Sequence, residues 1–330
     1  MDIKLMPIAI VTGITGQDGS YLAELLLAQG YRVIGAVRND QAASALHADL
    51  RASVELVEWN MLDQHGMSEV LAKYRPQEFY NFAAYSSGMG MFDDPVGISE
   101  VNGIAVTRML EAIRSVDSNI RFCQASSREI FGDALESPQT ESTQPSPRSP
   151  YGAAKLYADG MIKIYRRHYD LFACSAILFN HESPRRGLDF VTRKITHAAA
   201  KIKLGIASEV RLGNLDARRD WGFAGDFVRA MWLMLQQKNA DDYVIATGES
   251  HSVRELCDVA FGYLDLDYRD YVREEATVYR PSESSLLVGS AMKARTALGW
   301  CPEVSFADLV QAMVDADMRL LSEQGSTKNE

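Results

Sequence analysis

Short apolar runs of strand length alternate with longer stretches of helical period through the first half of the chain. PIAIVTG (7–13) reads as a buried strand, SYLAELLLAQG as a helix stopped by Gly30, and YRVIGAV as a second strand. SVELVEW and EFYNFAA supply two more strands, GIAVTRMLEAIRSV has helical spacing, and NIRFCQA is the next strand. Such alternation predicts a parallel sheet with helices on both faces, because each parallel connection needs a crossover of helix length. The Pro-rich stretch ESPQTESTQPSPRSP (136–150) reads as a loop ending where a helix begins. Beyond SAILFN (175–180) the alternation breaks. HESPRRG is turn-rich, while DWGFAGDFVRAMWLMLQQ and YVIATG return a helix and a strand to the first sheet. RELCDVAFGYL and FADLVQAMVDADMRLL then predict the helices of a smaller lobe whose segments interleave with the first.

Composition changes this picture little. The 330 residues are 47% hydrophobic and 24% charged, enough for a large core. The net charge of −10 argues against nucleic acid and an anionic membrane surface as partners. The four cysteines, Cys123, Cys174, Cys257 and Cys301, have no paired spacing and read as reduced thiols of a cytoplasmic protein, not as a disulfide frame or a metal site. MDIKLMP runs directly into the first strand, so no signal peptide is expected. No apolar run has the length of a membrane span. The polar tail GSTKNE reads as frayed.

The first candidate chemistry lies between the first strand and helix. GITGQDG places Gly13, Gly16 and Gly19 there. Glycine lets a backbone approach a pyrophosphate, and the helix N-terminus supplies N–H donors and dipole. The GxxGxxG spacing is that of short-chain dehydrogenase-like proteins. The second strand ends at Val37 and is followed by Arg38, which suits a 2′-phosphate and favours NADP; Asp40 nearby keeps NAD open. The expected fold is therefore α/β: a Rossmann-like doubly wound parallel sheet with a smaller mixed α/β substrate lobe. Residues 1–178 plus 221–248 are assigned to the dinucleotide, and 179–220 plus 249–330 to the substrate, with the site between them.

The second candidate is SPYGAAK. Tyr151 and Lys155 stand at i, i+4 on one helical face. A phenol normally titrates near pH 10, so it serves as a base only if positive charge stabilises its phenolate. A lysine ammonium and an oxidised nicotinamide would both do so. Ser127 lies 24 residues before Tyr151, at the end of a strand, where its hydroxyl completes a Ser–Tyr–Lys set. Glu129, in SSREIFG, has no role in simple hydride transfer. A dehydratase does need it: once carbon 4 of a sugar is a ketone, a carboxylate can remove the acidic proton from carbon 5. The alternative for Glu129 is an ion pair with Arg128, and for Tyr151 and Lys155 a surface pair.

Beyond these motifs, the blocks GITGQDGSYLAELL, YGAAKLYA, ILFNHESPRRG, FVTRKIT, LGNLDARRDWG, VIATG and YRPSESSLLVG carry a resemblance to the GDP-mannose 4,6-dehydratase family over nearly the whole length. The resemblance implies that Ser127 (threonine is usual there), Glu129, Tyr151 and Lys155 are catalytic. It implies a cofactor site of Gly13, Thr15, Gly16, Gln17, Asp18, Gly19, Arg38, Asn60, Met61, Ala83, Ala84, Tyr151, Lys155, His181 and Arg186. For a GDP-linked sugar it implies Ser86, Ser87, Asn180, Val191, Lys194, Arg219, Arg280 and Glu283. It implies a homodimer, with a tetramer as the other arrangement, and a place in deoxysugar biosynthesis for capsule or lipopolysaccharide. Three stretches depart from the family. NDQAASALHADL follows Arg38 where a second arginine and a serine-rich loop are usual, which opens both the NADP preference and the tetramer. Asn60 stands where the family has an acid. AAYSSGMGMF follows the fourth strand, with Tyr85, Ser87, Gly88 and Gly90 in place of other groups. Those glycines serve either a tight turn or a sugar with a longer carbon chain, so GDP-D-glycero-D-manno-heptose stands beside GDP-mannose. A net reductase or epimerase would need Ser127, Tyr151 and Lys155 but not Glu129. A non-catalytic nucleotide-sugar-binding protein would need none of them.

Overall fold

The computed structural model describes residues 6–86, 92–275 and 287–326. Ser87, Gly88, Gly90, Arg280, Glu283 and the tail from Thr327 onward lie outside the described residues. The central feature is a seven-stranded sheet. In chain order its strands are β1 (Ile8–Thr12), β2 (Arg32–Val37), β3 (Glu55–Glu58), β4 (Glu78–Asn81), β5 (Arg121–Ser127), β6 (Ala173–Leu178) and β7 (Tyr243–Ile245). The spatial order is β7-β6-β5-β4-β1-β2-β3, and every neighbouring pair is parallel. The order reverses between β1 and β4, which opens a crevice at the carboxyl ends of those two strands.

The strands read as continuous apolar runs because both faces are covered, yet alternate side chains still serve opposite layers. Ala9 and Val11 face the layer formed by α1 (Gln17–Ala28) and α6 (Ala224–Leu235), through Leu22, Leu26, Phe227 and Met231. Ile10, Phe79 and Phe122 face α2 (Gln64–Tyr74), α3 (Ala105–Val116) and α4 (Pro150–His168), through Leu71, Met109, Ile113 and Ile162. A third core belongs to the smaller lobe. There α5 (Val191–Lys203), α7 (Val253–Gly262) and α9 (Phe306–Ser326) meet through Ile195, Leu256, Phe261, Val310 and Val314.

Three details differ from the pattern read in sequence. The turn-rich HESPRRG opens in a short strand, Asn180–Glu182, parallel to Trp221–Phe223. The helix expected from Gly103 is preceded by a π-turn over Glu100–Ile104. Finally, Leu287, Ala291, Ala294, Leu298 and Trp300, around α8 (Met292–Leu298), pack into the core of the large sheet, with Trp300 Nε1 donating to Asp226 O at 2.8 Å. The chain returns from the smaller lobe to the sheet before α9.

Candidate active site

The crevice is floored by the turn after β1. Gly13 has φ +66°, and a Cβ there would stand 2.9 Å from the backbone of Phe82 and Ala83. At Gly19 a Cβ would come 2.3 Å from Gly13 O, so only glycine lets α1 sit this close to the strand. Gly16 N bonds Gly13 O at 2.9 Å, and no side chain caps the helix that Gly16 starts. An uncapped helix head beside a glycine turn offers backbone N–H groups and the positive end of a dipole, which fits a dinucleotide pyrophosphate. Arg38 lies exposed just past β2, and Asn60 and Met61 just past β3, on the same edge of the sheet.

Asp18 and His181 close one side. His181 Nε2 lies 3.0 Å from Asp18 Oδ2, its Nδ1 lies 2.7 Å from Phe179 O, and its ring stacks on Phe227. Burial alone would raise the Asp18 carboxyl, but His181 and, further off, Arg186 outweigh it and hold it below its ordinary value. Burial likewise works against a charged His181, and Asp18 reverses that, so the imidazole sits above its usual value. Gln17 donates to His181 O at 3.1 Å and accepts from Ser183 Oγ at 2.8 Å. Arg186 Nε lies 3.2 Å from Glu182 Oε2 with its guanidinium over Phe190.

The opposite wall is the end of β5. Ser127 ends the strand and starts the single 3₁₀ turn Arg128–Ile130, its Oγ accepting from Glu129 N at 3.2 Å. Arg128 Nη2 lies 2.9 Å from Glu129 Oε1, so the ion pair foreseen in sequence is present. Against this turn lies the head of α4, where Ser149 accepts from Gly152 N at 3.1 Å and Pro150 occupies the first turn. A Cβ on Gly152 would stand 2.4 Å from Glu129 O. The glycine in YGAAK is what allows Tyr151 to sit beside Ser127 and Glu129.

Lys155 is 2% exposed and donates to Ala125 O at 2.7 Å, with its Nζ 5.7 Å from the Tyr151 ring centroid. The ammonium thus stands over the phenol ring while bonded to a backbone carbonyl. Burial takes the ammonium down to about 8, against the opposing pull of Asp159 and Asp18. The Tyr151 phenol is pushed up to about 12, first by burial and then by the Glu129 charge, while Ser127 and Arg186 act the other way. A base at neutral pH thus requires more positive charge than the protein supplies, and an oxidised nicotinamide in the crevice is a source of it.

The remaining sequence-derived positions surround this centre. Thr15 lies in the glycine turn, and Ala83 N donates to Thr12 Oγ1 at 3.2 Å, with Ala84 and exposed Ser86 following. Asn180 belongs to the short strand, Val191 and Lys194 lie exposed on the first turn of α5, and Arg219 is half-buried beside His251 of the smaller lobe. Sequence reasoning missed the supports. Thr12, Asn81, Gln124 and Ala125 O form a buried hydrogen-bonded ladder that ends on Lys155. Asn102, in the π-turn, holds both backbone groups of Tyr85 at 2.9 and 3.0 Å. Arg193 donates to Arg186 O at 2.9 Å and pairs with fully buried Asp317, tying α9 to the 181–186 segment. Asp159 is the exception, since Tyr151, Lys155 and Asp159 follow at steps of four on one face, a signal visible in YGAAKLYAD.

Comparison with known proteins bears on family and fold. A family model described as GDP-mannose 4,6 dehydratase matches residues 10–313. The chain is 48% identical over 326 residues to GDP-mannose 4,6 dehydratase 2 of Arabidopsis thaliana, covering 95% of this chain and 87% of that one. It is 42% identical to the Homo sapiens GDP-mannose 4,6 dehydratase (95% and 92% covered) and 38% identical to the Vibrio cholerae protein of that name (94% and 94%). Among solved structures, UDP-glucose 4-epimerase of Thermotoga maritima superposes with TM-score 0.84 at 23% identity (95% and 99% covered). The dTDP-glucose 4,6-dehydratase of Bacillus anthracis, in complex with NAD, gives 0.81 at 19% (95% and 97%). These two likenesses concern the fold alone. With relatives this similar over nearly the full length of both chains, the protein belongs to the GDP-mannose 4,6 dehydratase family.

Proposed function

We propose that this chain is an NADP-dependent hydro-lyase that converts a GDP-linked sugar, GDP-mannose first, to its 4-keto-6-deoxy form, with Ser127, Glu129, Tyr151 and Lys155 as the catalytic residues. The observation that carries the reading is the meeting of Ser127 and Glu129, on one turn at the end of β5, with Tyr151 and Lys155 at the head of α4. NADP, held along the glycine turn by Gly13, Gly16 and Gly19, would supply a hydride acceptor for carbon 4 and the hydride that carbon 6 receives. Tyr151 accepts the proton of the carbon-4 hydroxyl, and Ser127 holds that oxygen. Glu129 then removes the proton on carbon 5, made acidic by the new ketone. The carbon-6 hydroxyl leaves as water with the proton from Tyr151. Glu129 returns its proton to carbon 5 as carbon 6 is reduced. One water is lost and there is no net redox change.

The domain division follows the same reading. Residues 1–178 plus 221–248 hold the dinucleotide, with Arg38 toward a 2′-phosphate and His181 and Arg186 closing over it. Residues 179–220 plus 249–330 hold the sugar nucleotide, with Asn180, Val191, Lys194, Arg219 and, outside the described residues, Arg280 and Glu283. A homodimer is supported by exposed Ile104, Tyr157 and Ile164 on the π-turn and α4. The exposed free Cys301 suits a reducing cytoplasm, and among the described residues no helix is long and apolar enough to cross a membrane.

The test is mass spectrometry of the protein incubated with NADP and either GDP-mannose or GDP-D-glycero-D-manno-heptose. Loss of one water without net NADPH is the expected result, and the faster sugar decides what Tyr85–Gly90 accommodates. An unchanged mass for both sugars would overturn the proposal.

A further inference from the structure

The buried carboxylate of Asp159 bonds to Ser126 and Ser175, and the reaction above does not use it. It lies one turn beyond Lys155 on α4, at the i, i+4 spacing that brings Cβ atoms to about 5–6 Å. Both side chains are nearly inaccessible, at 2% for Lys155 and 3% for Asp159. Two hydroxyls grip the carboxylate from different strands: Ser126 Oγ donates to Oδ2 at 2.7 Å and Ser175 Oγ to Oδ1 at 2.7 Å. The attachment points are consecutive on β5. Lys155 reaches Ala125 O, Asp159 receives Ser126, and Ser127 follows as the catalytic hydroxyl.

We propose that Asp159 is a positioning residue for Lys155: a buried counter-charge, fixed by Ser126 and Ser175, that keeps the ammonium charged inside the protein and so sustains its action on Tyr151. The proposal rests on the assignment of Tyr151 and Lys155 to the reaction. The physical need is plain. Lys155 is buried, and its hydrogen-bond acceptor at Ala125 is a neutral carbonyl, so desolvation favours loss of its proton. A carboxylate one turn away opposes that loss. Hydrogen bonding alone would not demand Asp159, since a neutral amide could also bridge Ser126 and Ser175. Its charge favours the protonated form of Lys155.

The surroundings allow the carboxylate to carry that charge at neutral pH. Burial and the neighbouring Asp242 carboxylate push Asp159 up to about 6, while the two serines and Lys163, on the same helix, hold it down. Asp242 is itself held by Arg166 at 2.8 and 2.9 Å and by Ser175 N at 3.0 Å. Glu141, which accepts from Val244 N at 2.8 Å, and Thr143 join Asp159, Lys163, Ser175 and Asp242 as the polar part of the lining of a cavity of about 30 Å³, room for a water.

The test uses the full-length protein with NADP and the GDP-sugar it dehydrates. In Asp159→Asn the alkaline limb of the pH–rate profile should move down by about one pH unit, because an ammonium without its counter-charge loses its proton sooner. Ser175→Ala, which withdraws one hydroxyl from the carboxylate, should move the limb the same way by less. A profile for Asp159→Asn that keeps the shape of the wild type, with only the rate scaled, would overturn the proposal. Should Asp159→Asn not unfold cooperatively, Asp159→Ser decides in its place, and an unmoved limb overturns the proposal. Lys155→Met run alongside separates the two assignments. If that variant still dehydrates the sugar, the catalytic role of Lys155 fails. If it is inactive and the Asp159→Asn limb has not moved, only the counter-charge fails.

Discussion

Lys155 is held in its ionised form against the preference of its surroundings, and replacing it should make the protein more stable while destroying its activity. Burial lowers the ammonium from 10.5 to about 8. Each pH unit of such depression costs about 1.4 kcal/mol, so keeping the charge in the folded protein at neutral pH costs about 3 kcal/mol. Methionine has similar length and needs no proton. Its introduction forfeits the bond to Ala125 O, worth about 1 kcal/mol, but does not orphan that carbonyl, which still accepts from Gln124 Nε2 at 2.8 Å. Lys155→Met should therefore gain about 2 kcal/mol at neutral pH. The sign with pH is specific. Between about 8 and 10.5 the unfolded chain holds the lysine proton that the folded chain has released, so wild-type stability from this group rises with pH across that window. The advantage of the variant should shrink over the same range. Urea unfolding of both proteins without cofactor, at neutral pH and again near the top of the window, measures it. A variant less stable than wild type at neutral pH, or a difference that ignores pH, would refute the reasoning.

Three further outcomes are expected. Glu129→Gln should keep NADP and sugar-nucleotide binding yet lose dehydration by about 10²–10⁴-fold, read by mass spectrometry of the product; normal turnover would show that another group takes the carbon-5 proton. Gly19→Ala drives a Cβ to 2.3 Å from Gly13 O and should destabilise by about 1–3 kcal/mol with weakened NADP binding, whereas Gly16→Ala, at 3.3 Å, should be milder in thermal melts with and without NADP. Asp317→Asn leaves Arg193 buried without its charge partner and should cost about 3–5 kcal/mol. Because Arg193 also holds Arg186 O, that variant should lose NADP affinity; unchanged affinity would show that α9 does not steady the 181–186 segment.

What was legible in the sequence is what neighbours in sequence decide. Gly13, Gly16 and Gly19 were readable because a turn between strand and helix imposes steric limits within seven residues. Tyr151 and Lys155 were readable because helical period fixes their common face. The Arg128–Glu129 pair was foreseen as an alternative to catalysis, and the structure contains it without removing Glu129 from the site. The features that escaped depend on distant partners. Asn180–Glu182 becomes a strand only because Trp221–Phe223 lies beside it. Leu287 to Trp300 follow the smaller lobe in sequence but complete the apolar layer over β7 and α6, which no local pattern announces. Arg193 reads as an ordinary helix residue until Asp317, 124 positions later, arrives from α9. Asp159 shared a visible face with the catalytic pair, yet its meaning required Ser175 from a different strand.

These long-range contacts have a common form. Asp18 with His181, Glu182 with Arg186, Arg193 with Asp317 and Arg166 with Asp242 are buried or half-buried pairs of an acidic and a basic side chain, and three of the four join elements remote in sequence. Such pairs are poor sources of net stability, since desolvating both partners consumes most of their attraction. Their effect is directional. An apolar core tolerates small slips between helix and sheet, whereas a buried charge displaced from its partner is penalised by several kcal/mol. The proposed reaction needs that discrimination: the sugar must present carbon 4 to the hydride acceptor and Tyr151, and carbon 5 to Glu129, within one turnover, and those groups come from β5, α4 and a crevice closed by residues beyond β6. The apolar layers hold the sheet together, and the buried ion pairs fix how the segments around its carboxyl edge are aligned. A substitution that keeps volume but removes one of these charges should therefore disturb the geometry of the site more than the apolar packing beneath it.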